Sequence, residues 1–257
     1  MDNNIKITFL GTGTSQGIPV IACNCKICLS TDKKDNRLRT SILVETQGKT
    51  ICIDTGPDFR QQMLRAKVQK LDAVIYTHEH KDHTAGMDDI RAFNFKQKKA
   101  MELFTDLNVE GCLKKEFSYA FQENPYPGVP RLNLNRIENK PFDVLGILFR
   151  PIQLMHYKLP VFGFRIGDFA YCTDVNYISP EEKKKLIGLK VLVITALRKE
   201  EHISHFSLSQ ALDVIDELKP EKAYLTHVSH LLGLHKEVSK ELPQNVEIAF
   251  DELTITI

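Results

Sequence analysis

Three features of the sequence predict an α/β fold of two packed sheets flanked by helices. Apolar runs of strand length are interleaved with segments of helical periodicity. Polar clusters follow the ends of the strand runs. No composition shift and no internal repeat divides the chain, so its 257 residues are predicted to form one domain, 1–257. Hydrophobic residues make up 42% and charged residues 26%, which places the chain among ordinary globular proteins.

The elements follow in order. Ile5 to Leu10 reads as a strand that runs into the turn-rich loop Gly11 to Gly17. Thr40 to Thr46 and Lys49 to Asp54 form a predicted hairpin around Gln47-Gly48. Asp58 to Lys67 suits a short helix, and Leu71 to Tyr76 a brief strand. Met101 to Phe104 is a strand candidate, Asn108 to Tyr119 a helix, and Glu123 to Pro130, with three prolines and a glycine, a loop. Ile147 to Leu154, Val161 to Ile166, Phe169 to Cys172 and Val191 to Thr195 read as strands. Ser207 to Leu218 has apolar residues at helical spacing, with Ser207 or Ser209 as its cap. Lys222 to Thr226 is a last inner strand, and Val246 to Phe250 and Leu253 to Ile257 close the chain.

Charge and composition narrow the function classes. The formal net charge is +1, so no overall field attracts nucleic acid or an anionic membrane. No apolar run is long enough to span a bilayer. Met1-Asp2-Asn3-Asn4 lacks a basic n-region before an apolar stretch, so no signal peptide is expected and a cytoplasmic location is. Three of the six cysteines crowd into Cys23-Asn24-Cys25-Lys26-Ile27-Cys28, which suggests a metal more than a disulfide framework.

The densest chemical signal is Thr77-His78-Glu79-His80-Lys81-Asp82-His83, at the end of a predicted strand. Neutral imidazole is a common ligand for zinc and related cations, and carboxylate suits harder ones. A strand end can point His78 and His80 the same way. Asp82 and His83, one turn further on, can face a neighbouring position, so the spacing suits two adjacent metals. The plain alternative is a polar surface turn, yet three of the nine histidines fall within these residues.

This run resembles the T-H-x-H-x-D-H signature of the metallo-β-lactamase superfamily. Asp54-Thr55-Gly56 is similar to its early aspartate, and His156, Asp174 and His227 to its later ligands in order. The resemblance covers most of the chain. It implies an αββα sandwich with a metal pair between mixed sheets. It further implies that His78, His80 and His156 hold one divalent cation, that Asp82, His83 and His227 hold the other, and that Asp174 bridges them. A hydroxide held between the two would be the nucleophile. Zinc or manganese is expected there, with iron also compatible. Taken alone, His156 could be a satisfied core histidine and Asp174 a turn cap.

Cys23, Cys25 and Cys28 offer three thiolates to a structural zinc, whose fourth ligand must come from elsewhere; His230 and His235 are the spare candidates. The glycine-rich loop, the cysteines and Thr226-His227-Val228-Ser229-His230 together resemble the phosphoribosyl cyclic phosphate phosphodiesterase branch of the superfamily. That resemblance implies a structural zinc held by Cys23, Cys25, Cys28 and His230, with residues 23–28 pinned against the segment that presents His227. Three reduced, unligated cysteines are the alternative.

A phosphodiester leaving group needs a proton donor. His202 and His205 are outside the ligand set. The resemblance favours His205, with His202 second, and a capping or surface role open to either. Asp82 is a candidate catalytic residue as well as a ligand. Arg91 and Arg60 could grip an anionic substrate, ordinary ion pairing being the competing role. The Gly11 to Gly17 run lacks the Gly-Lys-Ser/Thr ending of a nucleotide loop.

The expected activity is hydrolysis of a small, cyclic or activated, phosphodiester. The alternatives are an RNA-processing nuclease of the tRNA 3′-end type and a metal-holding partner protein without turnover. The nuclease would need a protruding tRNA arm, and no long insertion suits one. The expected partner is a small-molecule phosphodiester rather than a membrane or nucleic acid, with a homodimer left open.

Overall fold

A computed structural model describes residues 4–257. The reading of the leader rests on Met1, Asp2 and Asn3, which lie outside the described residues. Among the described residues, no helix is long and apolar enough to cross a membrane.

Six strands build most of the first sheet: β1 (Lys6–Gly11), β2 (Ser41–Thr46), β3 (Lys49–Ile53), β4 (Ala73–Ile75), β5 (Met101–Thr105) and β6 (Leu132–Arg136). The second sheet holds β7 (Phe142–Val144), β8 (Ile147–His156), β9 (Leu159–Ile166), β10 (Phe169–Cys172), β11 (Tyr177–Ile178), β12 (Val191–Thr195), β13 (Lys222–Thr226) and β14 (Val246–Ile248). The last strand, β15 (Thr254–Thr256), returns to the first sheet beside β1, so the chain crosses between the sheets twice, after β6 and after β14. Both sheets are mixed. β3 to β6 run parallel to one another, as do β10, β12, β13 and β14.

Alternation along the strands explains the layering. Ile42 and Val44 face one core and Leu43 another; Phe169 and Tyr171 face one and Ala170 and Cys172 another. Successive side chains leave a strand on opposite faces. One core therefore lies between the sheets, where Ile7, Phe9, Ile51 and Ile53 meet Phe149, Phe164, Tyr171 and Val193. The other two lie under the helices. Each fully buried Ile, Leu, Val or Phe contributes about 1.5–3 kcal/mol. Buried on both faces, β10 and β12 read as continuous apolar runs, as parallel inner strands do.

Outside the first sheet lie α1 (Phe59–Arg65), α2 (Lys81–Thr84), α3 (Arg91–Gln97) and α4 (Leu107–Glu116). Outside the second lie α5 (Pro180–Lys184) and α6 (Leu208–Leu218), and α7 (His235–Val238) is a single turn near the C-terminus. The order helix, sheet, sheet, helix is the αββα sandwich. Ser207, not Ser209, caps α6, in a reciprocal capping box with Gln210. The Asn108 to Tyr119 helix starts one residue earlier and ends at Glu116, where a 3₁₀ turn over Ser118–Phe121 takes over. β6, β7, β11, α2, α3, α5 and α7 lie outside the elements expected from the sequence, and β8 continues past Leu154 to His156.

Candidate metal centre

The loops that leave the C-terminal ends of the parallel inner strands converge on one edge of the sandwich, the usual place for a site in such sheets. Asp54 follows β3, the histidine run follows β4, His156 ends β8, Asp174 follows β10 and His227 follows β13. Three of these residues have left-handed backbones: Asp54 at φ +67°, Asp174 at +53° and His227 at +57°. Such conformations in non-glycine residues cost about 1–3 kcal/mol each and cluster at functional sites. They turn each chain sharply so that its side chain faces the gap between the sheets.

The structure brings the expected residues together in two groups that share an edge. One donor atom each from His78, His80 and His156 lies within 4.8 Å of the others, and the same holds for Asp82, His83, Asp174 and His227. His78 Nε2 stands 3.1 Å from His80 Nδ1. Two nitrogens bound tetrahedrally to one zinc would stand about 3.3 Å apart. Asp174 reaches both groups, at 3.9 Å from His78 Nε2 and 3.4 Å from His83 Nε2, and it also lies 3.0 Å from His227 Nδ1.

Hydrogen bonds on the far side of the rings decide which nitrogens are free. The Thr77 N–H and hydroxyl both donate to the Asp54 carboxylate, at 2.8 Å each. With its proton committed there, Thr77 Oγ1 accepts from His78 Nδ1 at 3.0 Å. His83 Nδ1 donates to Asp54 Oδ2 at 2.7 Å, and His156 Nδ1 donates to the Ser204 carbonyl at 2.8 Å. In each ring Nδ1 thus carries a proton toward an acceptor, which leaves the Nε2 lone pair free for a cation when the imidazole is neutral. His83 Nε2 is buried without a hydrogen-bond partner, although Asp82 Oδ2 is 3.2 Å away. An orphaned buried nitrogen facing two carboxylates fits a divalent cation.

Electrostatics agree with that donor set. Burial would raise the Asp174 carboxyl, but His227 and His83 overcome it and hold the group well below its ordinary range. Asp82 is lowered in the same way, with His83 overriding burial. Burial depresses His83, yet Asp174, Asp82 and Asp54 together drive it well above the ordinary imidazole value. The centre is therefore anionic enough to hold a buried positive charge. Burial, then the charge on His83, pushes His78 well down, and burial lowers His156, keeping both neutral and ligand-competent.

Glycines allow the close approach. A Cβ on Gly56 would sit 2.1 Å from the Asp82 carbonyl oxygen, so only glycine lets the β3 loop back onto the histidine run. The turn-rich loop after β1 contributes too. Thr14 N–H donates to the Val228 carbonyl, Val228 N–H donates to Thr12, and Thr14 Oγ1 lies 3.1 Å from His227 Nε2. The sequence marks that loop as part of the resemblance and not as a nucleotide site, and gives it no contact with a metal ligand.

The cysteine cluster forms a second group. The sulfurs of Cys23, Cys25 and Cys28 each lie 3.4 Å from His230 Nδ1. A thiolate and an imidazole on one tetrahedral zinc stand about 3.6 Å apart. The four donors fit that ion. The Cys28 backbone N–H lowers the Cys25 thiol to about 6, while burial pushes Cys28 up to about 11. His235 lies elsewhere, its Nδ1 3.2 Å from Arg37 Nη2.

His205 sits where the two groups meet, its Nε2 3.3 Å from Asp174 Oδ2 and its ring 4.5 Å from that of His156 and stacked on His227 at 4.8 Å. Burial pushes it down to about 4, against the pull of Asp174. His202 lies one step outward, 3.2 Å from His205 through Nδ1 atoms. Arg91 pairs with Asp88 at 3.1 Å. Thr77, Ser204 and Thr14 are contacts that residue-by-residue reading missed. Only Thr77 had a signal, as the first residue of the motif.

Two facing mixed sheets between helix layers, with histidines and carboxylates gathered at one edge, are the architecture of the metallo-β-lactamase superfamily. Residues 49–228 match the family described as beta-lactamase superfamily domain, and the chain belongs to that family. It resembles the PhnP branch of the superfamily. A crystal structure described as a new diphosphatase from the PhnP family superposes with a TM-score of 0.93 at 36% identity, covering 99% of this chain and 97% of that one. An octanoyltransferase of Porphyromonas gingivalis is 40% identical over 256 residues, 98% of this chain and 52% of that protein. A ribonuclease Z of Methanosarcina acetivorans is 27% identical over 169 residues, 63% of this chain and 48% of that protein. The chain spans about half the length of the curated relatives it matches.

Proposed function

We propose that the chain is a binuclear metal-dependent phosphodiesterase that hydrolyses a small phosphodiester. The observation that carries this reading is the pair of donor groups meeting at Asp174, with imidazole Nε2 atoms freed on one side by Asp54, Thr77 and Ser204 on the other. Likeness over the whole chain to a diphosphatase supports phosphorus chemistry over lactam chemistry.

His78, His80 and His156 would hold one cation, and Asp82, His83 and His227 the other, with Asp174 shared. Zinc or manganese there would supply Lewis acidity toward the phosphoryl oxygens and lower the pKa of a coordinated water. Asp54 and Thr77 orient the ligands. His205 would carry the proton for the leaving oxygen on Nε2. A neutral ring is a weak acid, so this role draws on the arriving phosphodiester anion, whose charge raises the imidazole's proton affinity. Cys23, Cys25, Cys28 and His230 would hold a structural zinc that ties residues 23–28 to the segment carrying His227.

Acyl transfer, named for the Porphyromonas relative, is not carried over to this chain, which spans 52% of that protein. Covalent acyl transfer uses an activated nucleophile such as Cys or Lys. Here Cys52 and Cys172 are buried, with both thiols pushed up to about 12, and the one lowered thiol, Cys25, stands in the cysteine cluster 3.4 Å from His230 Nδ1.

The test is metal analysis by mass spectrometry on the purified chain, together with turnover of bis(4-nitrophenyl) phosphate, 4-nitrophenyl phosphate and a tRNA precursor. Faster turnover of the diester than of the monoester or the RNA is expected. Preferential cleavage of the RNA would replace the reading with a ribonuclease. No turnover of any substrate in fully metallated protein would leave a metal-holding protein.

A further inference from the structure

The end of the sandwich opposite the metal centre carries a cavity of about 900 Å³. Small-molecule sites commonly run to roughly 300–1,000 Å³. Strand β8 starts at this cavity with Ile147 and ends at the metal centre with His156. At about 3.3 Å per residue, the two sites are about 30 Å apart. The cavity is therefore distinct from the hydrolytic site.

Its walls are cationic. Arg150, Arg165, Lys184, Lys185 and Lys190 line it against a single acidic side chain, Asp168, in a chain whose net charge is only +1. Two of these cations are committed. Lys185 donates to Asn139, Glu182 and the Pro151 carbonyl, and Lys190 faces Asp168 at 3.8 Å.

The arginines are the telling pair. Arg150 and Arg165 stand directly opposite each other on β8 and β9. Like charges in that relation destabilise a sheet. Arg165 cannot swing away, because its Nε donates to Gly167 at 2.8 Å and its Nη1 to the carbonyls of Lys185 and Ile187 at 2.7 and 2.8 Å. That leaves Nη2, whose nearest carboxylate oxygen, on Asp168, is 4.0 Å away. Arg150 is exposed, and among the described residues no carboxylate lies within ion-pair distance of it. Two facing guanidiniums, one locked in place with an uncommitted amino edge, form a ready anion clamp. Beside them Leu148, half exposed on the same face of β8 as Arg150, gives the cavity an apolar side.

We propose that this cavity binds a small phosphorylated molecule, its phosphoryl dianion held between Arg150 and Arg165 and its apolar body laid against Leu148. The concave shape and volume suit a small molecule, where an acidic protein surface would need a flat patch. The site stands independently of the phosphodiesterase reading.

Phenylphosphonate is the probe, since it joins a dianion to an apolar ring through a bond that is not hydrolysed. Titrated into the metallated, ¹⁵N-labelled chain, it is expected to shift the amides of Arg150, Arg165 and Gly167. Methylphosphonate should bind more weakly for want of the ring. Arg150→Glu should weaken phenylphosphonate at these amides by roughly tenfold or more, with phosphodiester turnover unchanged. Arg150→Leu, which removes one of two facing like charges, should fold at least as stably as wild type and lose the same affinity. Shifts confined to the metal-centre amides, or equal affinity at the cavity in wild type and both variants, would overturn the proposal.

Discussion

Replacing Thr77 by valine isolates the hydrogen bonds behind the metal centre without changing charge or much volume. The Thr77 hydroxyl donates to buried Asp54 at 2.8 Å and accepts from His78 Nδ1 at 3.0 Å. The first is a bond to a carboxylate, with a net contribution of about 1.5–3 kcal/mol. Losing the second leaves a buried N–H without a partner, at about 1–3 kcal/mol. Asp54 keeps its bonds from Thr77 N–H and His83, so it is not itself orphaned. A buried methyl returns about 0.8 kcal/mol, so the net loss is about 2–5 kcal/mol. For a chain of this size that lowers Tm by about 4–20 °C. The second consequence is specific to ligation: His78 is free to carry its proton on Nε2, which removes a lone pair from the cation. Loss of such outer contacts typically weakens metal binding by about 10–100-fold. Thermal melts and competition with a chromogenic chelator measure the two effects, with Thr77→Ser as the control that keeps the hydroxyl. If Thr77→Val matched Thr77→Ser in both Tm and metal affinity, the orientation of His78 by Thr77 would be refuted.

Other perturbations separate the remaining parts. Cys23→Ser should lower both zinc content and Tm; a thousandfold loss of zinc affinity at fixed free zinc corresponds to about 4.1 kcal/mol, and unchanged metal content would show that the thiols hold no ion. His205→Ala should reduce phosphodiester turnover by about 10²–10⁴-fold with metal content intact, and near-normal turnover would remove His205 from the chemistry. Gly56→Ala forces a Cβ to within 2.1 Å of the Asp82 carbonyl. It should cost about 1–3 kcal/mol in overpacking and reduce metal content by displacing Asp82, while retention of full metal would mean that the loop relaxes without moving the ligand.

The parts legible in the sequence were those whose signal is residue type at short spacing. His78, His80, Asp82 and His83 lie within one short run, and β10 and β12 are continuous apolar runs because both faces are buried. The edge strand β6 carries Leu132-Asn133-Leu134-Asn135-Arg136 with no fully buried residue; its alternation is short and built on asparagine, which is depleted in strands, so the signal is weak. Helix α3 begins directly from a 3₁₀ turn without a side-chain cap and ends on Lys98 in a left-handed conformation where glycine is usual. Neither end signal was present to read. The partner of His156 is a backbone carbonyl, Ser204, which any residue could supply. No residue-type pattern could reveal it. The arginine clamp was invisible for a related reason: Arg150 and Arg165 become neighbours only through the register of β8 and β9.

The strained backbones at Asp54, Asp174 and His227 bear on why the site lies where it does. Each follows an inner strand whose hydrogen bonds and two-sided burial anchor the chain up to the residue before the turn. A strain of about 1–3 kcal/mol at each position persists only where the surroundings over-determine it. Here Asp54 is fixed by three hydrogen bonds, Asp174 N–H donates to Thr195 Oγ1 at 2.7 Å, and His227 lies between the Thr14 contact and the Val228 pairing with Gly13. His230, three residues beyond His227, meets the three thiols, so an ion there would brace the same turn from its other end. Ligands held by both a sheet and a second ion need little reorganisation when a cation arrives. On this account, weakening the cysteine site should loosen His227 before it affects His78, which hangs from β4 and Asp54 on the opposite sheet.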